Sequence, residues 1–214
     1  MVTGVVIRSD DGLDLEGEID VPGTPRAAVL VCHAHPAMQG TMNSPLLLAV
    51  RDALLDIDIA VLRFNFRGVG RSQGEFGTGV AEMADASGAF GYLRAHLGNV
   101  PAGVIGWSFG GAIAIRLTGR FPDLRCCVAI APATERKPGV TEGLPPAGEL
   151  NLSVPTLVIV GSNDRQTPAD RCKAWAEDAG ARYNEIRAAN HFFWAKYEPL
   201  VEEVTSFVSE HTGV

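Results

Sequence analysis

The stretch VIGWSFGGAIAI, residues 104–115, joins a short apolar run to a segment of small and apolar residues. The first part is typical of a buried strand and the second part favours a helix. Ser108 lies at the junction, between Gly106 and Gly110. In a sharp strand-to-helix turn, side chains at the two glycine positions would collide with the serine. The stretch therefore predicts a turn that exposes the Ser108 hydroxyl at the carboxyl edge of a sheet.

Strand and helix patterns alternate along the rest of the chain. Short apolar runs of this kind are typical of parallel strands that are buried on both faces, and they occur at residues 27–32, 59–66, 103–106, 125–131 and 155–161. Helical spacing of apolar residues lies between them, after Ser44-Pro45, from Val80 to Leu97, after Thr167-Pro168 and from Trp194 to Val208. The alternation predicts one α/β domain over residues 1–214, with helices on both faces of the sheet.

Two regions depart from this pattern. Residues 13–21 alternate between apolar and polar side chains, which predicts a half-buried antiparallel strand paired with residues 4–8 across the turn at 10–12. Residues 132–154 are rich in proline and glycine and read as a loop, too short for a separate lid domain.

The composition limits the partners and the compartment. The net charge of −7 disfavours nucleic acid and anionic membranes as partners, and no apolar run is long enough to span a bilayer. The N-terminus does not resemble a signal peptide, and four cysteines in a chain of this size suggest buried free thiols in a cytoplasmic protein. Asn151 begins an Asn-Leu-Ser glycosylation sequence, which matters only for a secreted chain.

A serine hydroxyl needs a base to remove its proton and an acid to orient that base. His191 follows a strand-like segment, and Asp164 follows the run at 155–161, so both are predicted at the same sheet edge as Ser108. The chain order serine, aspartate, histidine is that of α/β hydrolases. Weaker candidates are two aspartates that do not directly follow a buried strand and two histidines expected in solvent: Asp85, Asp123, His96 and His211.

An oxyanion hole would need two backbone N–H groups beside Ser108. Phe109, the residue after the serine, supplies one of them. The loop that follows residues 27–32 supplies the other. Because Pro36 has no N–H, the donor in that loop is predicted to be His35, with Ala34 as the alternative.

Two further patterns suggest a cofactor only weakly. His33 and His35 have the spacing of metal ligands, but Pro36 breaks the strand and no carboxylate or cysteine set accompanies them. Gly68 and Gly70 follow a strand as in dinucleotide-binding loops, but the third glycine and the helix are missing. No metal and no cofactor are therefore expected, and residues 65–79 read as an ordered loop beside the site.

Five stretches together resemble a known family: HAHPAMQGTMNSP, AVLRFNFRGVGRSQGEF, GWSFGG, GSNDRQTP and NHFFW. They are similar to small, lid-less α/β hydrolases related to dienelactone hydrolases and to CocE/X-Pro-peptidase-type serine hydrolases. The resemblance implies about eight mostly parallel strands and implies Ser108, Asp164 and His191 as catalytic residues, with His35 and Phe109 at the oxyanion hole. Dienelactone hydrolases use a cysteine where this chain has Ser108, so their substrate does not carry over.

These observations favour a serine carboxylesterase that acts on a small-molecule ester with a short-to-medium acyl group. Trp107, Phe192 and Phe193 adjoin the predicted catalytic residues, and they either line an apolar acyl pocket or pack in the core. The same triad would serve a thioesterase or an amide or lactone hydrolase. A non-catalytic binding scaffold on the same fold is the alternative from another class.

Overall fold

The computed structural model describes residues 2–150 and 152–214, so the glycosylation prediction at Asn151 lies outside the described residues. Eight strands form one sheet in the order β1-β2-β4-β3-β5-β6-β7-β8. The strands are β1 (Val2–Arg8), β2 (Asp14–Asp20), β3 (Ala27–Cys32), β4 (Ile59–Phe64), β5 (Ala102–Trp107), β6 (Cys127–Ile130), β7 (Thr156–Gly161) and β8 (Arg182–Ile186). The helices are α1 (Pro45–Leu55), α2 (Glu82–Leu97), α3 (Phe109–Arg120), α4 (Ala169–Ala179) and α5 (Tyr197–Thr212).

Strands β3 to β8 are parallel to one another, as their apolar sequences predict. The N-terminal pair is antiparallel, with Ile7 opposite Leu15, and β2 also pairs antiparallel with β4. Leu15, Gly17 and Ile19 are buried while Glu16 and Glu18 are partly exposed, as the alternation predicts. The prediction is wrong at Asp20, which is buried and faces Arg63 at 3.4 Å. The predicted α/β fold class is therefore confirmed.

The two faces of the sheet carry different helices. Helices α1 and α5 pack on one face, where Leu47, Val50 and Val204 join the core. Helices α2, α3 and α4 cover the other face, with Phe90, Ile113 and Cys172 among the buried residues. All four cysteines are buried and free, as predicted. No helix in the described ranges is both long enough and apolar enough to cross a membrane.

The predicted start of α2 is wrong at Val80. Its side chain is 65% exposed, and the helix begins only at Glu82. The buried Glu82 carboxylate accepts hydrogen bonds from the amides of Gly77 and Gly79, which holds the preceding segment in a turn. Strand β4 ends at Phe64 rather than at Phe66, and the Phe66 amide donates to the ring of His33 instead.

The predicted start of the final helix is wrong at Trp194, which is also 65% exposed. Phe193 and Ala195 adopt positive φ angles of 53° and 57°, so the backbone on both sides of Trp194 is incompatible with a helix. Helix α5 begins only at Tyr197. The consequence is an irregular segment, 187–196, between β8 and α5.

Because β3, β5, β7 and β8 are parallel, their carboxyl ends meet at one edge of the sheet. The loops after these strands carry the predicted site residues. The described part of the 132–154 loop contains a three-residue 3₁₀ turn, Ala147–Glu149, and an isolated antiparallel bridge between Lys137 and Thr141, and no inserted lid domain.

Candidate active site

Ser108 occupies a strained turn between β5 and α3. Its φ of 55° and ψ of −112° lie in a region that residues other than glycine rarely adopt. A side chain at Gly106 would overlap the carbonyl of Gly110, and a side chain at Gly110 would overlap the carbonyl of Cys32. The turn is held because the Ser108 carbonyl accepts hydrogen bonds from the amides of the next helical turn and of Ala133.

The structure brings the three predicted residues together in one hydrogen-bonded chain. His191 Nε2 lies 3.1 Å from the Ser108 hydroxyl oxygen. On the other side of the ring, His191 Nδ1 lies 2.7 Å from Asp164 Oδ2. His191 and Asp164 are buried, with 5% and 7% exposure, so water competes little for these contacts. The arrangement can pass a proton from the hydroxyl to the imidazole while the carboxylate holds the ring in place.

Asp164 is held as a carboxylate by four hydrogen bonds. Its Oδ1 accepts from the amides of Gln166 and Thr167, and its Oδ2 accepts from the Thr167 hydroxyl and faces the imidazole of His191. Burial by itself would raise the pKa of Asp164, but the hydrogen bonds from His191 and Thr167 hold that pKa below its ordinary value. The negative charge is thus available to stabilise a protonated His191.

Thr167 and Trp107 play parts that the sequence patterns did not predict. The sequence Thr167-Pro168 is typical of an N-cap followed by proline, but the residue at the N-cap is Pro168, and the Thr167 hydroxyl donates to Asp164 instead. The Trp107 indole N–H donates to the carbonyl of His191 at 3.1 Å, which ties the histidine loop to the end of β5. In the sequence, only the closeness of Thr167 to Asp164 indicated the hydrogen bond between their side chains.

The two predicted oxyanion donors lie beside Ser108. Phe109 is the first residue of α3, where helix amides have no intrahelical acceptor, and His35 precedes a short 3₁₀ turn, Pro36–Met38. Within residues 2–150 and 152–214, neither amide donates a hydrogen bond to a protein acceptor. Both residues line the cleft around the Ser108 hydroxyl. These amides are therefore free to bind an oxygen of a substrate.

The rings of His33 and His35 are both engaged by backbone groups. His33 Nε2 accepts from the Phe66 amide and its Nδ1 lies 2.6 Å from the Ala34 carbonyl oxygen, while burial lowers the pKa of His33 to about 4. His35 Nδ1 accepts from the Ala37 amide and its Nε2 donates to the Val140 carbonyl. The two rings thus fix loop conformations. No set of three histidine, cysteine or acidic side chains in the described parts of the chain is placed to hold a metal ion.

The loop at residues 65–79 is held by ion pairs. Arg67 pairs with Asp85 at 2.7 Å and with Asp11 at 2.8 Å, and Asp85 is completely buried. Asp85 is therefore engaged in structure, away from His191. Asp123, the other weaker candidate, pairs with Arg94 at the surface.

The cleft around Ser108 has two parts, both of which are lined by Ser108, His35, Met38 and Gln166. The larger part, about 210 Å³, has mainly apolar walls, and we call it the aromatic arm after Trp107 and Phe192. The smaller part, about 100 Å³, lies against the 132–154 loop, and we call it the loop arm. It is further lined by Phe109, Ala133, Thr134 and Thr141.

The three aromatic residues predicted near the site divide between cleft and core. Trp107 and Phe192 line the aromatic arm. Phe193 is fully buried among the core residues beneath α5 and lines neither arm, which corrects the prediction of a pocket role for it. Its positive φ turns the backbone so that the two consecutive phenylalanines point in different directions.

Comparison with known proteins agrees with this architecture. Residues 27–148 match the family model described as the alpha/beta hydrolase fold, and the chain belongs to this family. It is 32% identical over 205 residues to the uncharacterized protein RP471 of Rickettsia prowazekii, a match that covers 91% of this chain and 84% of that protein.

Two solved structures have a similar fold. An alpha-beta serine hydrolase homologue from Coxiella burnetii is 25% identical, with a TM-score of 0.84 over 95% of this chain and 96% of that chain. XC6422 from Xanthomonas campestris, described as an α/β serine hydrolase without a lid, is 24% identical, with a TM-score of 0.85 over 100% of this chain and 96% of that one. At 24% identity, the likeness to XC6422 shows only that the two chains share a fold.

Proposed function

We propose that this chain is a serine hydrolase that cleaves carboxylic esters through an acyl-enzyme on Ser108. The observation that carries the proposal is the continuous hydrogen-bonded chain from the Ser108 hydroxyl through His191 to Asp164. It lies at the carboxyl edge of a parallel sheet, on a strained serine turn and beside two unpaired amides. A non-catalytic scaffold would have no need of all these features together.

In the proposed acylation step, His191 Nε2 takes the hydroxyl proton as Ser108 Oγ attacks the ester carbonyl carbon. The carbonyl oxygen becomes negative and accepts hydrogen bonds from the amides of His35 and Phe109. The imidazolium then gives its proton to the departing alcohol oxygen as the carbon–oxygen bond breaks. Asp164 stabilises the imidazolium during this step.

Deacylation repeats the sequence with water. His191 removes a proton from a water molecule that attacks the acyl carbon, and the proton passes to Ser108 Oγ as the acid leaves. The chain ends in its starting protonation state. The serine-hydrolase description of the Coxiella burnetii homologue is consistent with this chemistry.

Covalent labelling tests the proposal. A fluorophosphonate probe should label the wild-type protein, and Ser108→Ala should abolish the label. Ser206→Ala, a change at an exposed serine of α5, is the matched control and should label like the wild type. Absence of label on the wild type, or equal labelling of Ser108→Ala, would overturn the nucleophile assignment.

A substrate panel then separates ester hydrolysis from its relatives. An ester, a thioester and an amide with the same acyl group should be compared by kcat/KM, and we expect the ester to be hydrolysed fastest. A clear preference for the thioester or the amide would retain the role of Ser108 and replace the proposed substrate class.

A further inference from the structure

The two arms of the cleft differ in whether His191 forms part of their wall. His191 lines the aromatic arm together with Trp107, Phe192 and Pro45, but it does not line the loop arm. Ser108 opens into both arms. A carbonyl group bound at Ser108 would therefore place one of its two substituents in each arm.

The proton transfer decides which substituent lies in which arm. If the chain is the hydrolase proposed above, His191 Nε2 must come within hydrogen-bond distance of the departing alcohol oxygen to protonate it. The alcohol must then leave on the side of the cleft that His191 lines. The acyl group has the remaining space, beneath the 132–154 loop.

We propose that the aromatic arm binds the alcohol part of the ester and that the loop arm binds the acyl part. The loop arm is the smaller of the two arms and lies against the 132–154 loop, so the acyl group that we propose for it is short. The proposal rests on the proposed function and assigns its substrate class: short-chain acyl esters of a bulky, apolar alcohol.

The walls of the aromatic arm suit an aryl group. The Trp107 and Phe192 rings are 5.9 Å apart and meet at 75°, which is an edge-to-face arrangement. Phe192 also stacks on Trp194, with ring centroids 5.0 Å apart and an angle of 16° between the planes. Because Trp194 is 65% exposed, this stack extends the apolar wall from His191 out to the protein surface.

Polar side chains line much of the loop arm. The side chains of Thr134, Thr141 and Thr167 line it, and its apolar surface, which is still the larger share, comes from Met38, Phe109, Ala133 and Val140. Thr141 also holds its own loop, since its hydroxyl accepts a hydrogen bond from the Gly143 amide. A long hydrocarbon chain would meet fewer apolar partners here than in the aromatic arm.

Two ester series test the assignment. In one, the acyl group is fixed as acetate and the alcohol is ethanol, benzyl alcohol or 2-naphthylmethanol, which are all unactivated alkanols; in the other, phenol is fixed and the acid is acetate, butyrate or octanoate. For the wild type we expect kcat/KM to rise with the size of the alcohol and to fall at least about tenfold from acetate to octanoate.

Variants in each arm should change one series only. Phe192→Ala and Pro45→Trp alter the aromatic arm from two different elements, and we expect each to change the 2-naphthylmethyl-to-ethyl preference about tenfold with an unchanged acyl-length profile. Thr134→Phe narrows the loop arm, and it should reduce butyrate hydrolysis relative to acetate without changing the alcohol profile.

Burst kinetics give a second readout. All acetate esters form the same acetyl-enzyme, so Pro45→Trp should change the rate of acylation and leave the deacylation rate of the acetyl-enzyme as in the wild type. The assignment is overturned if the aromatic-arm variants change the acyl-length profile, or if Thr134→Phe changes the alcohol profile.

Fluorophosphonate labelling of every protein keeps the two proposals apart. A labelled wild type with the opposite selectivity overturns only the assignment of the arms. A wild type that takes no label overturns the proposed function and, with it, this inference.

Discussion

Two buried histidines follow parallel strands at the same edge of the sheet, yet they differ in what their ring nitrogens contact. His33 comes directly after β3, and both of its nitrogens meet backbone groups of Ala34 and Phe66. His191 follows β8, and its nitrogens meet the side chains of Asp164 and Ser108. Burial alone therefore does not distinguish a structural from a reactive histidine at this edge; the partners do.

The difference has a physical consequence. Burial lowers the pKa of His33 to about 4, against the opposing effect of the Nδ1–H hydrogen bond to the Ala34 carbonyl, and the Phe66 amide donates to Nε2, which requires that nitrogen to be unprotonated. In contrast, protonation of His191 would be stabilised by the adjacent Asp164 carboxylate. Only His191 has both a hydroxyl to deprotonate and an anion to stabilise the resulting charge.

The largest expected effect is on activity when glutamine replaces each histidine in turn. His191→Gln should reduce kcat by about 10⁶-fold because the base is lost. His33→Gln retains a side-chain oxygen that can accept from the Phe66 amide, and it should keep kcat within about tenfold of the wild type. Initial rates with an activated aryl ester measure both, and circular dichroism checks that each variant is folded.

Comparable loss in both variants would remove the distinction between the two histidines. Retained activity in His191→Gln would show that another group acts as the base.

The next effect concerns the partner of His191. Asp164→Asn should lower kcat by about 10⁴-fold, because an amide at this position no longer stabilises the imidazolium or favours the required tautomer. The double variant Asp164→Asn/His191→Gln should be no slower than His191→Gln alone, since the two groups act as one unit. Additive losses in kcat would indicate that Asp164 acts independently of His191.

A smaller effect is the pH dependence of stability due to His33. Its pKa falls from 6.5 to about 4 on folding, so below pH 6.5 the unfolded chain binds a proton that the folded chain does not. This contribution to stability is fully present above pH 6.5 and is lost as the pH falls to about 4. It amounts to about 3 kcal/mol in the free energy of unfolding.

Urea unfolding of wild type and His33→Gln at pH 7.5 and pH 4 isolates this contribution, because the carboxylates titrate in both proteins. The wild type should lose more stability between the two pH values than the variant. Equal losses would mean that burial does not lower the pKa of His33 in the folded protein.

The smallest effect concerns His35, whose ring connects the amide of Ala37 to the carbonyl of Val140 in the overhanging loop. His35→Ala keeps the backbone amide proposed for the oxyanion hole but releases both contacts. We expect kcat to fall about tenfold, with KM changed less, because the donor is less well positioned. His96→Ala, at an exposed position of α2, is the control.

A rise in KM with unchanged kcat would show that the His35 ring contributes to substrate binding rather than to the position of the oxyanion donor.

Much of the fold was predictable because strand burial follows directly from apolar runs and period-two alternation. The errors at Val80 and Trp194 arose where local backbone geometry overrides helical spacing. Phe193 and Ala195 adopt positive φ, and Glu82 bonds to the amides before its own helix. Such geometry depends on contacts that an apolar pattern does not encode.

For the site, the chain positions of Ser108, Asp164 and His191 were predictable because parallel strands bring their carboxyl ends to one edge. The hydrogen bond from Thr167 to Asp164 was not predictable, nor was the placement of Phe192 in the cleft and of Phe193 in the core. In an irregular loop, the side chains of adjacent residues do not point to opposite sides in a fixed order. The division of the cleft into two arms likewise depends on how the 132–154 loop folds over Ser108.

All of the proposed chemistry passes through a covalent acyl-enzyme on Ser108. Wild-type protein mixed with an activated acetate ester, quenched in acid and digested, should yield the peptide containing Ser108 with the added mass of one acetyl group. The Ser108→Ala protein, treated identically, should show no acetylated peptide in this region. Turnover of the ester by the wild type with no trapped acyl group, or with acetylation at a different residue, would contradict the account.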